Sequence, residues 1–171
     1  MVDRKLILAA EGGNKESMFE LGKELFSEGA YEYAFYWTYR SAVAGVKNAF
    51  YPLAKLYACG VGTQVDCKKS IFWLKKAVAN GEVRAMTFLA DSYFRGLGVK
   101  VDYNKAVRYY KIAAREGDGY AQYRLGVCLT SGTGIEKNVE KARYFYSLAC
   151  AKGVSYAAYE LKKLAPVTLC A

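Results

Sequence analysis

The chain has 171 residues, 53% of them hydrophobic, and a formal net charge of +9. This hydrophobic share is enough for a packed core and argues against intrinsic disorder. No histidine occurs, which excludes Ser-His-Asp and Cys-His catalysis and His-ligated metal sites. The five cysteines form no Cys-x-x-Cys pair, so neither a zinc site nor a disulfide framework is indicated. Reduced thiols of a cytoplasmic protein are expected.

The positive charge leaves three kinds of partner open: an acidic protein, nucleic acid or an anionic membrane. Basic residues occur in runs no longer than two, which favours ordinary solvated helix faces. Near the amino end, only Leu6 to Ala10 form an apolar run, which is too short for a signal peptide or a membrane span. The sequence therefore predicts a cytoplasmic protein, or a periplasmic or secreted one if a signal peptide preceding Met1 has been removed.

The same residue types recur every 36 residues, as in Leu53, Leu89, Leu125 and Leu161. Each repeat is predicted to hold two helices, named A and B, joined by a turn with a glycine pair. Because these glycine pairs also recur with the period, they indicate turns and not a nucleotide-binding loop. Asp66, Asp102 and Asn138 are predicted to cap the B helices. Along the chain we expect a B-type capping helix (3–13), a divergent first repeat (14–48), three regular repeats (49–84, 85–120, 121–156) and an A-type capping helix (157–165) stopped by Pro166.

Residues 85–118, AMTFLADSYFRGLGVKVDYNKAVRYYKIAAREGD, combine Gly-x-Gly-Val-x-x-Asp with Lys-Ala-x-x-Tyr-Tyr. With the 36-residue period, this pattern resembles the Sel1-like repeat, a relative of the tetratricopeptide repeat, over residues 3–165. The first repeat lacks the glycine pair, and the fourth has Ile135 and Asn138 where valine and aspartate are usual. The resemblance implies an all-α fold: a right-handed α-solenoid of antiparallel helix pairs, used for protein–protein contact. We expect this solenoid to form a single domain over residues 1–171, and we expect no cofactor or metal.

Candidate partner-binding residues lie on the A helices, which line the concave face of such a solenoid. A-helix positions that do not face the repeat core line up from one repeat to the next, and we call each such row a ladder. The ladders are rich in aromatic and charged side chains. The sixteen tyrosines also exceed what a core needs. For a single ring, the alternative is packing between neighbouring A helices. The B-helix position of Trp37, Trp73, Tyr109 and Phe145 is predicted to be core. The candidates are Phe19, Lys23, Tyr51, Lys55, Arg84, Thr87, Asp91, Phe94, Tyr120, Tyr123, Tyr156 and Tyr159.

These residues predict a non-enzymatic adaptor whose tyrosine-rich concave groove binds a protein or peptide with an acidic surface. The resemblance also permits an immunity protein that neutralises a bacterial toxin by direct binding, as some stand-alone Sel1-like proteins do. A few family members have been assigned β-lactamase activity, but this chain offers no nucleophile paired with a base. Nucleic acid is not expected, since acidic and basic residues share the A helices. The oligomeric state is left open.

Overall fold

A computed structural model describes residues 3–164. In this range every regular element is helical, and a single 3-10 turn at Lys47–Ala49 accompanies ten α-helices. The predicted all-α architecture of helix pairs is therefore confirmed. The expected end of the last helix at Ala165 and Pro166 lies outside the described residues. The helices are α1 (Arg4–Glu11), α2 (Lys15–Ser27), α3 (Tyr31–Val43), α4 (Phe50–Cys59), α5 (Cys67–Ala79), α6 (Val83–Arg95), α7 (Tyr103–Arg115), α8 (Gly119–Ser131), α9 (Val139–Ala151) and α10 (Ser155–Lys163).

The helices group into two compact units, and the division falls inside α6. Unit 1 holds the residues up to Ala85 together with Leu97–Val99, and unit 2 holds Met86–Gly96 and the residues from Lys100 onward. Each unit has its own core. That the whole chain behaves as a single domain stays a prediction.

The three predicted caps are present at the starts of α5, α7 and α9. Asp102 and Asn138 have extended backbones. Each side-chain oxygen of the three residues accepts a hydrogen bond from the backbone N–H three residues later, at 2.8 or 2.9 Å. Each bond satisfies one of the backbone amide groups that the start of a helix leaves without an intrahelical partner. The B helices therefore begin at the positions predicted from the sequence.

The recurring glycine pairs form turns, as predicted. In the first pair, Gly60 ends α4 with φ of 68°, and Gly62 has φ of 67°. These are left-handed conformations that favour glycine. Gly62 also lies against the start of α3, and a Cβ on it would overlap the carbonyl oxygen of Tyr31. The second glycine is therefore used for close packing of the turn against a preceding B helix.

The core of unit 1 lies between packed helix pairs α2–α3 and α4–α5. Leu21, Leu53 and Leu74 are at most 2% exposed. Gly22 allows α2 and α3 to approach closely, because a Cβ there would lie 2.6 Å from Oγ1 of Thr38. The small residue after the repeat leucine thus brings an A helix against its B helix.

The core of unit 2 lies among α6 to α10 and contains large buried tyrosines. Tyr110 is fully buried and Tyr146 is 1% exposed, and both occupy the register of Leu74 in unit 1. Gly126 makes room for the Tyr146 ring, since a Cβ there would lie 2.6 Å from a ring carbon. The later repeats therefore fill with tyrosine the space that leucine fills earlier.

The prediction of a core aromatic position on every B helix is correct for Trp73, which is 6% exposed. The side chains of Trp37, Tyr109 and Phe145 are only half-buried, and Trp37 packs against the buried cluster of Ala10, Met18 and Leu21. The following residue is buried on all four B helices, as Thr38, Leu74, Tyr110 and Tyr146, and it occupies the centre of the helix face that meets the core. Tyr109 instead stacks on Tyr93 at the edge of the core, with ring centroids 6.0 Å apart.

Candidate partner-binding surfaces

A groove of about 560 Å³ lies in unit 1, between α2, α4 and the first turn of α6. Five of the predicted partner-binding residues line it: Phe19, Lys23, Tyr51, Lys55 and Arg84. Apolar side chains that the prediction did not include complete the walls; they are Phe26, Leu56 and Val61. We call this feature the unit 1 groove. It combines an apolar surface with cations, the combination that anchors peptides in many interfaces.

Aromatic rings and lysines are paired along the unit 1 groove. The ammonium of Lys23 lies over the Phe19 ring at 5.6 Å from its centroid, and that of Lys55 lies over Tyr51 at 5.9 Å. Each pair is one helical turn apart, so the lysine stem covers the ring of the residue four positions earlier. The same arrangement therefore occurs on two consecutive A helices.

The cations of the groove differ in how their charge is balanced. Lys23 forms an ion pair with Glu20, with Nζ 2.7 Å from the carboxylate oxygen. Lys55 and Arg84 have no ion-pair partner within the described part of the chain. Of the three cations that line the groove, only Lys23 is therefore paired with an acidic side chain of the described residues.

In unit 2, two other predicted residues serve an internal network. The Asp91 carboxylate accepts a hydrogen bond from the Tyr110 hydroxyl and contacts Nε of Arg124 at 3.0 Å. The Arg124 guanidinium also donates to the Tyr110 oxygen at 3.1 Å and stacks over Phe94 at 4.6 Å. Asp91 and Phe94 thus bind Arg124, and their charge and ring surface are largely used within unit 2.

Burial sets the protonation state of this network. Desolvation raises the pKa of the Tyr110 hydroxyl far above its ordinary value, and the adjacent Asp91 carboxylate raises it further. Tyr110 therefore stays protonated and donates to Asp91. Arg124 supplies the compensating positive charge, as buried charges require.

The remaining predicted residues differ in how much of each side chain is exposed to solvent. Thr87 is 5% exposed and offers little surface to a partner. Tyr120 and Tyr156 are exposed, while Tyr123 is half-buried between them, with ring centroids 6.1 and 6.2 Å away. These three rings form an aromatic cluster on α8 and α10. Tyr159 is also exposed, and the Lys163 ammonium lies 4.2 Å from its ring centroid.

Arg124 is the important residue that sequence reasoning missed. It directly precedes the repeat leucine Leu125, a position that no predicted ladder included. The residues 36 positions earlier and later are Phe88 and Glu160, so the period itself carries no signal there. An isolated arginine among tyrosines on an A helix was the one available hint.

Cys128 is a buried thiol whose pKa burial raises to about 11. A protonated, inaccessible thiol behaves as a small hydrophobic residue, as predicted. Cys59 is exposed and lines the unit 1 groove. Among the helices of residues 3–164, none combines the length and the apolar character that crossing a bilayer requires.

Repeated helix pairs with aromatic and basic exposed surfaces define a helical-repeat protein of the α-solenoid class. The Sel1 repeat matches four segments: residues 15–45, 51–82, 83–118 and 119–154. The chain therefore belongs to the Sel1 repeat family. Proteins of this family generally mediate protein–protein interaction and are typically non-enzymatic scaffolds.

Solved structures agree with this assignment. One is c5321, a protective antigen of uropathogenic Escherichia coli strains with an SLR fold, at 29% identity and a TM-score of 0.88 over 96% of this chain. Another is a Sel1 repeat protein from Oxalobacter formigenes, at 30% identity and a TM-score of 0.84 over 93% of this chain. The present chain spans 36% and 65% of these two proteins.

Helicobacter pylori cysteine rich protein B is 28% identical, with a TM-score of 0.56 over 68% of this chain and 97% of that protein. No curated protein matches the chain.

Proposed function

We propose that the protein is a non-enzymatic interaction module whose unit 1 groove binds a segment of a partner protein that carries acidic side chains. The observation that supports it is the convergence of five predicted residues on one groove, two of them cations without an internal acidic partner. The proposed compartment is the cytoplasm, on the ground of the cysteine pattern.

The groove suits a short extended or helical segment. Phe19, Phe26 and Leu56 provide apolar surface for one or two side chains of the partner. Lys55 and Arg84 would pair with its carboxylates, and pairing of opposite charges gives specificity and fast association. The cluster of Tyr120, Tyr123 and Tyr156 offers an additional aromatic contact surface on unit 2.

The test is a tagged pull-down from the native cell, analysed by mass spectrometry, with Tyr51→Ala/Arg84→Glu compared with the wild type. The control is Tyr33→Ala/Lys47→Glu, which makes the same kinds of change at exposed positions outside the groove. A partner retained by the control and depleted at least about tenfold by the groove variant supports the proposal. Equal recovery by all three proteins would place the interaction elsewhere.

The recovered partner also distinguishes the adaptor from the alternative, an immunity protein. The partner is expressed in cells that lack this chain. One outcome is that the partner kills these cells, and that co-expression of the wild type prevents the killing whereas co-expression of the groove variant does not. That result would favour neutralisation of a bacterial toxin. A harmless endogenous partner would favour an adaptor.

A further inference from the structure

Helix α5 presents an unusual surface on the side opposite to the unit 1 core. Ile71, Trp73 and Leu74 are buried, at 6%, 6% and 0% exposure. On the other side, Phe72 is 53% exposed in the middle of four exposed lysines. The preceding turn adds Val65, which is 62% exposed. We call this surface the α5 face; its lysines are Lys68, Lys69, Lys75 and Lys76.

Most of the charge on the α5 face is not balanced by acidic residues. The helix itself contains no aspartate or glutamate. Lys69 is neutralised by the capping Asp66, with Nζ 3.3 Å from the carboxylate. Lys68, Lys75 and Lys76 have no ion-pair partner among the residues that the structure describes. Three cations thus surround one exposed apolar ring.

We infer that the α5 face docks on an anionic phospholipid surface. Lysines attract the negative surface of an acidic bilayer without needing a fixed geometry, and each raises partitioning about fivefold. A phenyl ring, which has no polar group to satisfy, enters the boundary between headgroups and acyl chains. This peripheral contact is separate from the unit 1 groove and does not depend on what that groove binds.

Two features favour lipid over nucleic acid, the other polyanion that a basic surface attracts. The Lys76 ammonium already lies over the Phe72 ring, 4.8 Å from its centroid, on a face that a stacked base would need. The cations of α5 are all lysines, whereas bidentate recognition of phosphates and guanine favours arginine. On α7, which is also free of acidic residues, Arg108 takes the place of Phe72. On α3 and α9 the equivalent residues are the exposed tyrosines Tyr36 and Tyr144, so among these four helices only α5 carries a ring without a hydroxyl at this position.

The test uses the full chain and two vesicle preparations, phosphatidylcholine alone and phosphatidylcholine with phosphatidylserine. We expect flotation with the phosphatidylserine vesicles only, weakening as salt rises because screening shortens the Debye length to about 8 Å at physiological ionic strength. Lys68→Ala/Lys75→Ala should lower the partition coefficient about 25-fold, at about fivefold per lysine. Phe72→Ser should lower it severalfold while leaving the charge unchanged.

The matched control is Lys5→Ala/Lys47→Ala, which changes net charge equally at exposed positions outside α5 and should bind like the wild type. Circular dichroism confirms that each variant is folded, as expected for exposed substitutions. The proposal fails if the wild type does not float with phosphatidylserine vesicles, or if both lysine pairs weaken binding equally. It also fails if an RNA or DNA oligonucleotide binds more tightly than the vesicles and depends on Lys68 and Lys75.

Discussion

Nε of Arg124 lies 3.0 Å from a carboxylate oxygen of Asp91, and the two side chains are 12% and 14% exposed. Each of these residues also bonds to the hydroxyl of Tyr110. The three groups come from α6, α7 and α8 and hold these helices of unit 2 together. A buried ion pair of this kind matters most when one partner is lost, because the other then stays buried without compensation.

Replacing Asp91 with alanine should therefore lower the free energy of unfolding by about 3–5 kcal/mol, measured by urea denaturation at neutral pH. The double variant Asp91→Ala/Arg124→Met removes both charges and should recover most of the loss. A loss under about 1 kcal/mol for the single variant, the range of exposed ion pairs, would show that the pair is effectively solvated.

Gly62→Ala should destabilise the protein more than Gly29→Ala. Both glycines have left-handed backbones, with φ of 67° and 81°, so both variants carry a strain of about 1–2 kcal/mol. Only at Gly62 would the new Cβ also overlap the Tyr31 carbonyl, whereas nothing lies within 4 Å at Gly29. Thermal or urea unfolding of the two variants measures the difference. Equal losses would mean that the turn can move away from α3 at no cost.

The capping aspartates should give the protein an acid-sensitive stability. The backbone N–H of Lys69 lowers the pKa of Asp66 below its ordinary 3.8, and that of Lys105 does the same for Asp102. A lowered folded-state pKa adds stability above pH 3.8 that is lost as pH falls through the lower folded value.

The test is to measure urea unfolding as a function of pH for the wild type and Asp66→Asn/Asp102→Asn. Asparagine keeps the capping oxygen, as Asn138 shows on α9, but does not titrate. The variant should show a flatter acid limb than the wild type. Identical acid limbs would rule out these two caps as the source.

Within the unit 1 groove, Lys55→Glu should weaken a recovered partner more than Lys23→Glu. Lys55 has no acidic partner in the described residues, whereas Lys23 already pairs with Glu20 at 2.7 Å. Titration calorimetry in low and moderate salt compares the two variants. Reversal of Lys55 is expected to cost at least about tenfold in affinity, in the range of an interface hot spot. A larger effect at Lys23 would mean that the ligand displaces Glu20.

Cysteine labelling should separate the exposed thiol from the buried one. Cys59 is exposed, whereas burial raises the pKa of Cys128 to about 11. At pH 8 only about one Cys128 thiol in a thousand would be ionised even if it were accessible. Peptide mapping after brief iodoacetamide treatment should find Cys59 modified and Cys128 unmodified, and urea should abolish the difference. Rapid labelling of native Cys128 would indicate local opening of α8.

Much of the architecture followed from local rules in the sequence. Leucines such as Leu53 and Leu89 recur at the repeat period because each A helix buries a side chain at the equivalent position of its repeat. Asp66 and Asn138 cap helices because their short side chains reach an amide three residues later. Such relations act within a few residues or repeat along the chain, so periodicity alone revealed them. The convergence of Phe19, Tyr51 and their lysines also follows from this repetition.

What only the tertiary structure decided is which side chains on the A helices are buried or paired and which stay exposed. Asp91 occupies the same ladder position as Lys55, yet its carboxylate forms an ion pair with Arg124, which lies on another helix. Thr87 lies two positions before the repeat leucine, as Tyr51 does, but is buried. The sequence determined the helices, their caps and their repeat register, because those depend on neighbours along the chain. Charge pairing and burial depend on the rotation of each helix about its axis and on side chains distant in sequence. Only the packing of the helices against one another determines them.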